Sequence, residues 1–256
     1  MKRLLLSALG ALALAACADA GKSTAPSDEA SAPAAPAASA NLTSSEAGSR
    51  LYEVTITNLT NTQPLSPGVV VTHTKDVEVW AVGNAASEGI RQIAENGDEL
   101  PAVGELTGAP GIFEVVGTGL PPIHRVGGPG GTAQTFRIAA RGNANRLSVA
   151  VMLICTNDGF TGVSGVKLPG GFKPEEFLAN GYDAGTEAND QLYTHVVDPC
   201  GAIGPAAVAP DGQNLRTATP GGVIAPHPGI QPVGDLTAAV YGWTDPVARI
   251  TIRRVK

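Results

Sequence analysis

The sequence is poor in aromatic side chains and in charge. Phe, Trp and Tyr make up 4% of its 256 residues, and Asp, Glu, Lys and Arg together 16%. With so few rings, the core must be built mainly from Val, Ile, Leu and Ala. A basic excess is also lacking. The net charge of −6 removes the electrostatic footprint that nucleic-acid binding requires. No basic amphipathic face appears that would lay the folded part on a membrane surface. Histidine is sparse: His73, His124, His195 and His227 are scattered along the chain, whereas a transition-metal cluster needs ligands at close or converging spacing. Structural roles are expected for all four. What is abundant is Gly (32 residues) and Pro (20 residues), which break helices and favour turns between short strands.

Cysteine is nearly absent, and the three present divide by position. The N-terminus reads Lys2-Arg3, an apolar run from Leu4 to Ala16, then Cys17. That run is too short to span a bilayer and reads as a secretory signal. Its ending, Leu-Ala-Ala-Cys (14–17), resembles a bacterial lipobox, which implies a signal peptide over residues 1–16 and a lipid on Cys17. Ala18, where Asp would mark retention at the inner membrane, points to the outer membrane of a bacterial cell envelope. Residues 18–47 hold no aromatic and almost no large aliphatic side chain, so they cannot offset their ordering entropy. Lipidated Cys17 and a tether to residue 48 are expected, with a typical reach on the order of 30 Å. Cys155 and Cys200 remain. In an exported chain an even pair reads as a disulfide; two unpaired thiols, with Cys155 on an apolar strand, are the alternative.

Residues 49–256 read as one all-β domain. In Leu51–Thr60, Tyr52, Val54 and Ile56 alternate with Glu53, Thr55 and Thr57, the pattern of a half-buried strand. Further strands are expected over 76–82, 112–116, 133–140, 146–156, 191–197, 236–243 and 247–256. Val-Ala-Val-Met-Leu-Ile-Cys (149–155) does not alternate and is the candidate central strand. One helix is expected after Ser87, with Ile90, Ile93 and Ala94 on one face and Asn96-Gly97 as its stop. The acids Glu88, Glu95, Asp98 and Glu99 are assigned to its solvated side.

Several stretches, in order, resemble the spondin N-terminal domain. They are the opening segment from Tyr52, the segment 77–98, Asn157-Asp158-Gly159 with the Val-rich stretch after it, Tyr-Asp-Ala-Gly-Thr-Glu (182–187), and Pro-His-Pro-Gly near His227 followed by the terminal strand. The resemblance implies an antiparallel β-sandwich similar to C2 domains, with one or two short helices in loops and a calcium ion near one end. It departs from the family where Gly159 stands in place of an aromatic and where Glu187 replaces an Asp. The module serves adhesion in animal matrix proteins, so a protein or polysaccharide ligand is expected here.

Asp158 follows the apolar strand, and Asp183 and Glu187 flank Gly185 in a second loop. Calcium takes six to eight oxygens, from carboxylates, carbonyls and water, and these three carboxylates are the expected ligands. Asn189 and Asp190 are assigned to the turn into the next segment. A solvated acidic turn is the alternative. No nucleophile–base pattern appears: Gly162–Gly165 would need Gly at 166 to form a nucleophile elbow, and Val166 stands there. A non-enzymatic binding module is the first expectation. A metal-dependent envelope hydrolase and a purely architectural lipoprotein are the alternatives.

Overall fold

The computed structural model describes residues 48–256. The expected signal peptide, Cys17 and the tether up to residue 47 lie outside the described residues. Ten strands follow one another within them: β1 (Arg50–Asn58), β2 (Leu65–His73), β3 (Ile112–Gly117), β4 (Ala133–Ala140), β5 (Arg146–Leu153), β6 (Gly159–Lys167), β7 (Glu175–Ala179), β8 (Gly181–Asp183), β9 (Ala225–Pro226) and β10 (Ala248–Arg254). They form two antiparallel sheets, ordered β4-β1-β10-β7 and β3-β2-β5-β6-β8-β9. The short helices are α1 (Glu88–Asn96), α2 (Leu100–Leu106), α3 (Pro199–Ile203) and α4 (Ala238–Tyr241), with a 3-10 turn at Tyr193–His195. Among the described residues no helix is long and apolar enough to cross a membrane.

The alternation of β1 places Tyr52, Val54 and Ile56 between the sheets, all fully buried. They meet Ile138, Ile250 and Ile252 of their own sheet and Val70, Val149, Val151 and Leu153 of the facing one. Outside, Glu53 receives Arg137 and Arg253, and Thr55 bonds Thr135 (2.7 Å). The six-stranded sheet is buried on both faces, which is why β2 and β5 read as continuous apolar runs. Its second face, with Val69, Val71, Ala150 and Phe160, is covered by Ile90, Ile93 and Ala94 of α1 and by Trp80. α1 begins where Ser87 Oγ accepts from the Ile90 N–H (3.3 Å) and ends on Gly97 in the left-handed region (φ 64°).

Three expected strands are not strands. Residues 76–82 run as turns and bends. Their apolar positions serve the covering layer instead: Trp80 packs edge-on to Phe160 (5.1 Å) and donates from Nε1 to the Val149 carbonyl (3.1 Å). Residues 191–197 contain the 3-10 turn, and 236–243 contain α4. In both, Val196, Val197, Leu236 and Tyr241 are drawn onto Met152 and Ile154 as a third apolar cluster. That packing is unavailable to a strand laid in either sheet.

A disulfide joins Cys155 to Cys200, tying the β5–β6 turn to α3. The buried Gln63 side chain closes the same end. Its Oε1 accepts from the Cys155 N–H (3.0 Å) and its Nε2 donates to the Tyr241 carbonyl (2.8 Å). At the opposite end, β1 and β10 lie side by side: Arg254 pairs with Tyr52, and the Leu51 N–H donates to the Lys256 carbonyl (3.1 Å).

Candidate functional site

The site is built on the turn between β5 and β6. Thr156 Oγ1 donates to the Leu153 carbonyl (2.7 Å) and accepts from the Gly159 N–H (2.9 Å), closing a tight reversal. This leaves Asp158 fully buried at the start of β6. β8 pairs with β6 there, Gly159 opposite Asp183, and the Ala184 N–H donates to the Asp158 carbonyl (3.1 Å). The chain then turns at Gly185 (φ 72°). A Cβ on Gly185 would stand 2.5 Å from the Val223 carbonyl oxygen, so only glycine fits.

That turn aims the next backbone amides at Asp158. Its Oδ2 accepts from the Thr186 N–H (2.7 Å), the Glu187 N–H (3.0 Å) and Thr186 Oγ1 (3.2 Å). Its Oδ1 has no hydrogen-bond partner. Asp183 is satisfied: Oδ1 accepts from the Gly185 N–H (2.7 Å), and Oδ2 from Asn189 Nδ2. Glu187 is 3% exposed, and neither of its carboxylate oxygens has a hydrogen bond. An isolated bridge to Ala218 fixes its backbone.

The electrostatics follow from burial. Loss of solvent pushes the Asp158 carboxyl up to about 6, and the nearby Asp183 charge adds to this, against the Glu187 and Thr186 donors. Burial likewise pushes Glu187 up to about 8, with Asp158 and Glu95 adding. Asn157, whose amide donates to Asp190 Oδ1 (3.1 Å), and Arg216 offset part of this without closing a hydrogen bond on Glu187. Glu95 is not on the solvated side of α1. It is 4% exposed because α1 lies on this end of the sheet, and it takes both Arg91 (2.7 Å) and Arg216 (3.3 Å).

The structure therefore brings Asp158, Asp183 and Glu187 into one cluster. It does not bring them into a three-carboxylate cage: among the described residues no set of three His, Cys, Asp or Glu side chains stands placed to hold a metal ion. What the cluster offers is three buried carboxylate oxygens, on Asp158 and Glu187, that no hydrogen bond among the described residues satisfies, with Arg216 Nε reaching one of them at 4.0 Å. Hard oxygen donors of this kind suit a divalent cation whose shell is completed by backbone carbonyls and water. Asn189 and Asp190 are more than turn residues: Asn189 holds Asp183, and Asp190 Oδ2 meets His195 Nδ1 at 2.7 Å.

Glu95 and Arg216 enter the neighbourhood from distant segments, with nothing in their local sequence to mark them, and His227 enters from the Pro-His-Pro-Gly stretch. His227 packs edge-on to Trp243 (4.9 Å), and its Nδ1 accepts from the Gly229 N–H (2.9 Å). Burial pushes this ring down to about 4, against the nearby Asp183 and Asp245 charges. His73 is also structural, bonding the Thr74 carbonyl and Ser148 Oγ, each at 2.8 Å.

The family model described as Spondin_N matches residues 51–195. No curated protein matches the sequence. The matched span runs from β1 through the 3-10 turn and holds Asp158, Asp183 and Glu187, while Arg216 and His227 lie beyond it. Two antiparallel sheets, the Asp158 turn and the Gly185 loop thus coincide with a match over more than half of the chain, which belongs to the spondin N-terminal domain family.

Proposed function

We propose that this is a calcium-binding spondin-type domain that acts by binding rather than by catalysis. It is carried on the outer membrane of a bacterium by a lipid on Cys17. The observation that supports the metal is the set of oxygens without a hydrogen bond on Asp158 and Glu187, sealed at 0% and 3% exposure. Buried carboxylates with so little counter-charge, one guanidinium at 4.0 Å from Glu187, are costly, and a divalent cation between them turns repulsion into cohesion. Asp158 and Glu187 would hold the ion, with Asp183 adjacent. Calcium would supply positive charge that pins the β5–β6 turn to the Gly185 loop. A site sealed in this way suits a structural ion, since a catalytic metal keeps an open position for substrate. The role that fits is adhesion: a protein or polysaccharide ligand held by loops that the ion orders.

Binding linkage sets the test. A ligand at 100 times its Kd stabilises the fold by about 2.7 kcal/mol, so calcium should raise the melting temperature of the full chain and a chelator should reverse the rise. Glu187→Gln, which keeps the shape and removes the charge, should lose most of the shift. A parent protein that melts identically in calcium and chelator would refute the metal. For the anchor, palmitate labelling should be lost in Cys17→Ala; undiminished labelling would place the lipid elsewhere. For adhesion, retention on immobilised envelope polysaccharide or matrix protein should require calcium.

A further inference from the structure

Among the described residues Glu187 has one basic neighbour, and that neighbour is shared. Arg216 Nε lies 3.3 Å from Glu95 Oε2 and 4.0 Å from Glu187 Oε2. The carboxylates are buried, at 3% and 1% side-chain exposure, while the Arg216 side chain is 30% exposed. The guanidinium is therefore the solvent-facing member of the group. Its other side is held: Nη2 donates to Asn96 Oδ1, which also receives Asn214 Nδ2 (2.9 Å). Main-chain bonds lay this segment along the metal loop, from the Ala188 N–H to the Thr217 carbonyl (2.7 Å) and from the Thr219 N–H to the Thr186 carbonyl (3.0 Å).

The two contacts are unequal. At 3.3 Å Arg216 is close to Glu95, which also has Arg91; at 4.0 Å it leaves both Glu187 oxygens without a hydrogen bond. Glu187 is the loosely held partner. A divalent cation on the Glu187 and Asp158 oxygens would compete with the guanidinium for one carboxylate charge and repel it. Arg216 would not be stranded by the exchange, because Glu95 and Asn96 keep it.

We propose that Arg216 is a built-in competitor for the divalent cation. It stands in as the counter-charge of the ionised Glu187 carboxylate when the ion is absent, and so sets the calcium affinity of this chain. This rests on the calcium reading above.

The test is calorimetric titration of the full chain with calcium chloride at about pH 9, where Glu187 is ionised, together with melting in chelator at the same pH. Arg216→Gln should lower the calcium Kd by about tenfold, the order expected for removing a like charge beside the ion in a partly exposed setting. It should also melt lower than the parent in chelator and show a larger calcium-induced rise. Arg216→Lys, which keeps the charge, should stay within about threefold of the parental Kd. A parent that binds calcium while Arg216→Gln binds with equal or weaker affinity overturns the competitor and leaves the metal site standing. An Arg216→Lys that binds as tightly as Arg216→Gln also overturns it, since charge would then not be the cause. A parent that binds no calcium removes both ideas together.

Discussion

At the scale of the residue, Glu187 gives the fold a pH-dependent stability. Its carboxyl titrates near 8 in the fold, against an ordinary value of about 4.3 in an unfolded chain. The folded state thus holds this proton more tightly. The stabilisation is fully present below the unfolded value and is lost as pH rises through about 8. Glu187→Gln cannot titrate. In chelator it should be more stable than the parent by roughly 5 kcal/mol at pH 9 and by only about 1 kcal/mol at pH 5, as read by urea unfolding at both values. A constant gap across that range would mean that burial does not govern this group. The sequence draws Asp158, Asp183 and Glu187 into one expectation through the family resemblance, since a glycine between two acids and an acid after an apolar strand fit a solvated turn as well. It does not draw in Glu95 and Arg216. An acid on a short amphipathic helix looks the same whether that side meets water or a neighbouring loop, and Arg216 sits in a segment without periodicity.

At the scale of the element, periodicity was informative where one sheet face meets the core and misleading where a covering layer lies on the other. β1, β4 and β10 follow the alternation, and their observed extents fall within two residues of the expected ones at each end. Residues 76–82 also alternate, yet Val79 and Trp80 are buried in the covering layer and the segment pairs with no strand. Short apolar runs do not say which surface buries them. The Gly185 turn carries a sharper expectation. Gly185→Ala forces a left-handed Ala and a Cβ 2.5 Å from the Val223 carbonyl oxygen. It should cost about 2 kcal/mol or more and abolish the calcium-induced melting shift. Gly170→Ala, where an added Cβ meets nothing within 4 Å, should stay within about 0.5 kcal/mol and serves as the control. Equal effects at the two positions would refute the role given to the turn.

At the scale of the molecule, one covalent link crosses between the irregular segment and the sheets. The Cys155–Cys200 bridge spans a sequence separation of 45 residues. Closing a loop of that length in the unfolded chain accounts for roughly 3–4 kcal/mol. Replacing both cysteines by alanine should lower unfolding stability by about that amount, measured in denaturant without reductant; a loss under 1 kcal/mol would show that the third apolar cluster holds α3 unaided. The count of cysteines suggested the pairing, while the cluster around it, drawn from residues 152 to 241, has no local signature. The adjacency of β1 and β10 has a different consequence. Both chain ends of the domain leave from the end of the sandwich opposite the Asp158 turn, about one strand length away, on the order of 25–30 Å. A surface, bead or fusion partner attached through either terminus would therefore grip the domain by its base and leave the carboxylate end facing outward, so that one orientation of display serves both tagging schemes.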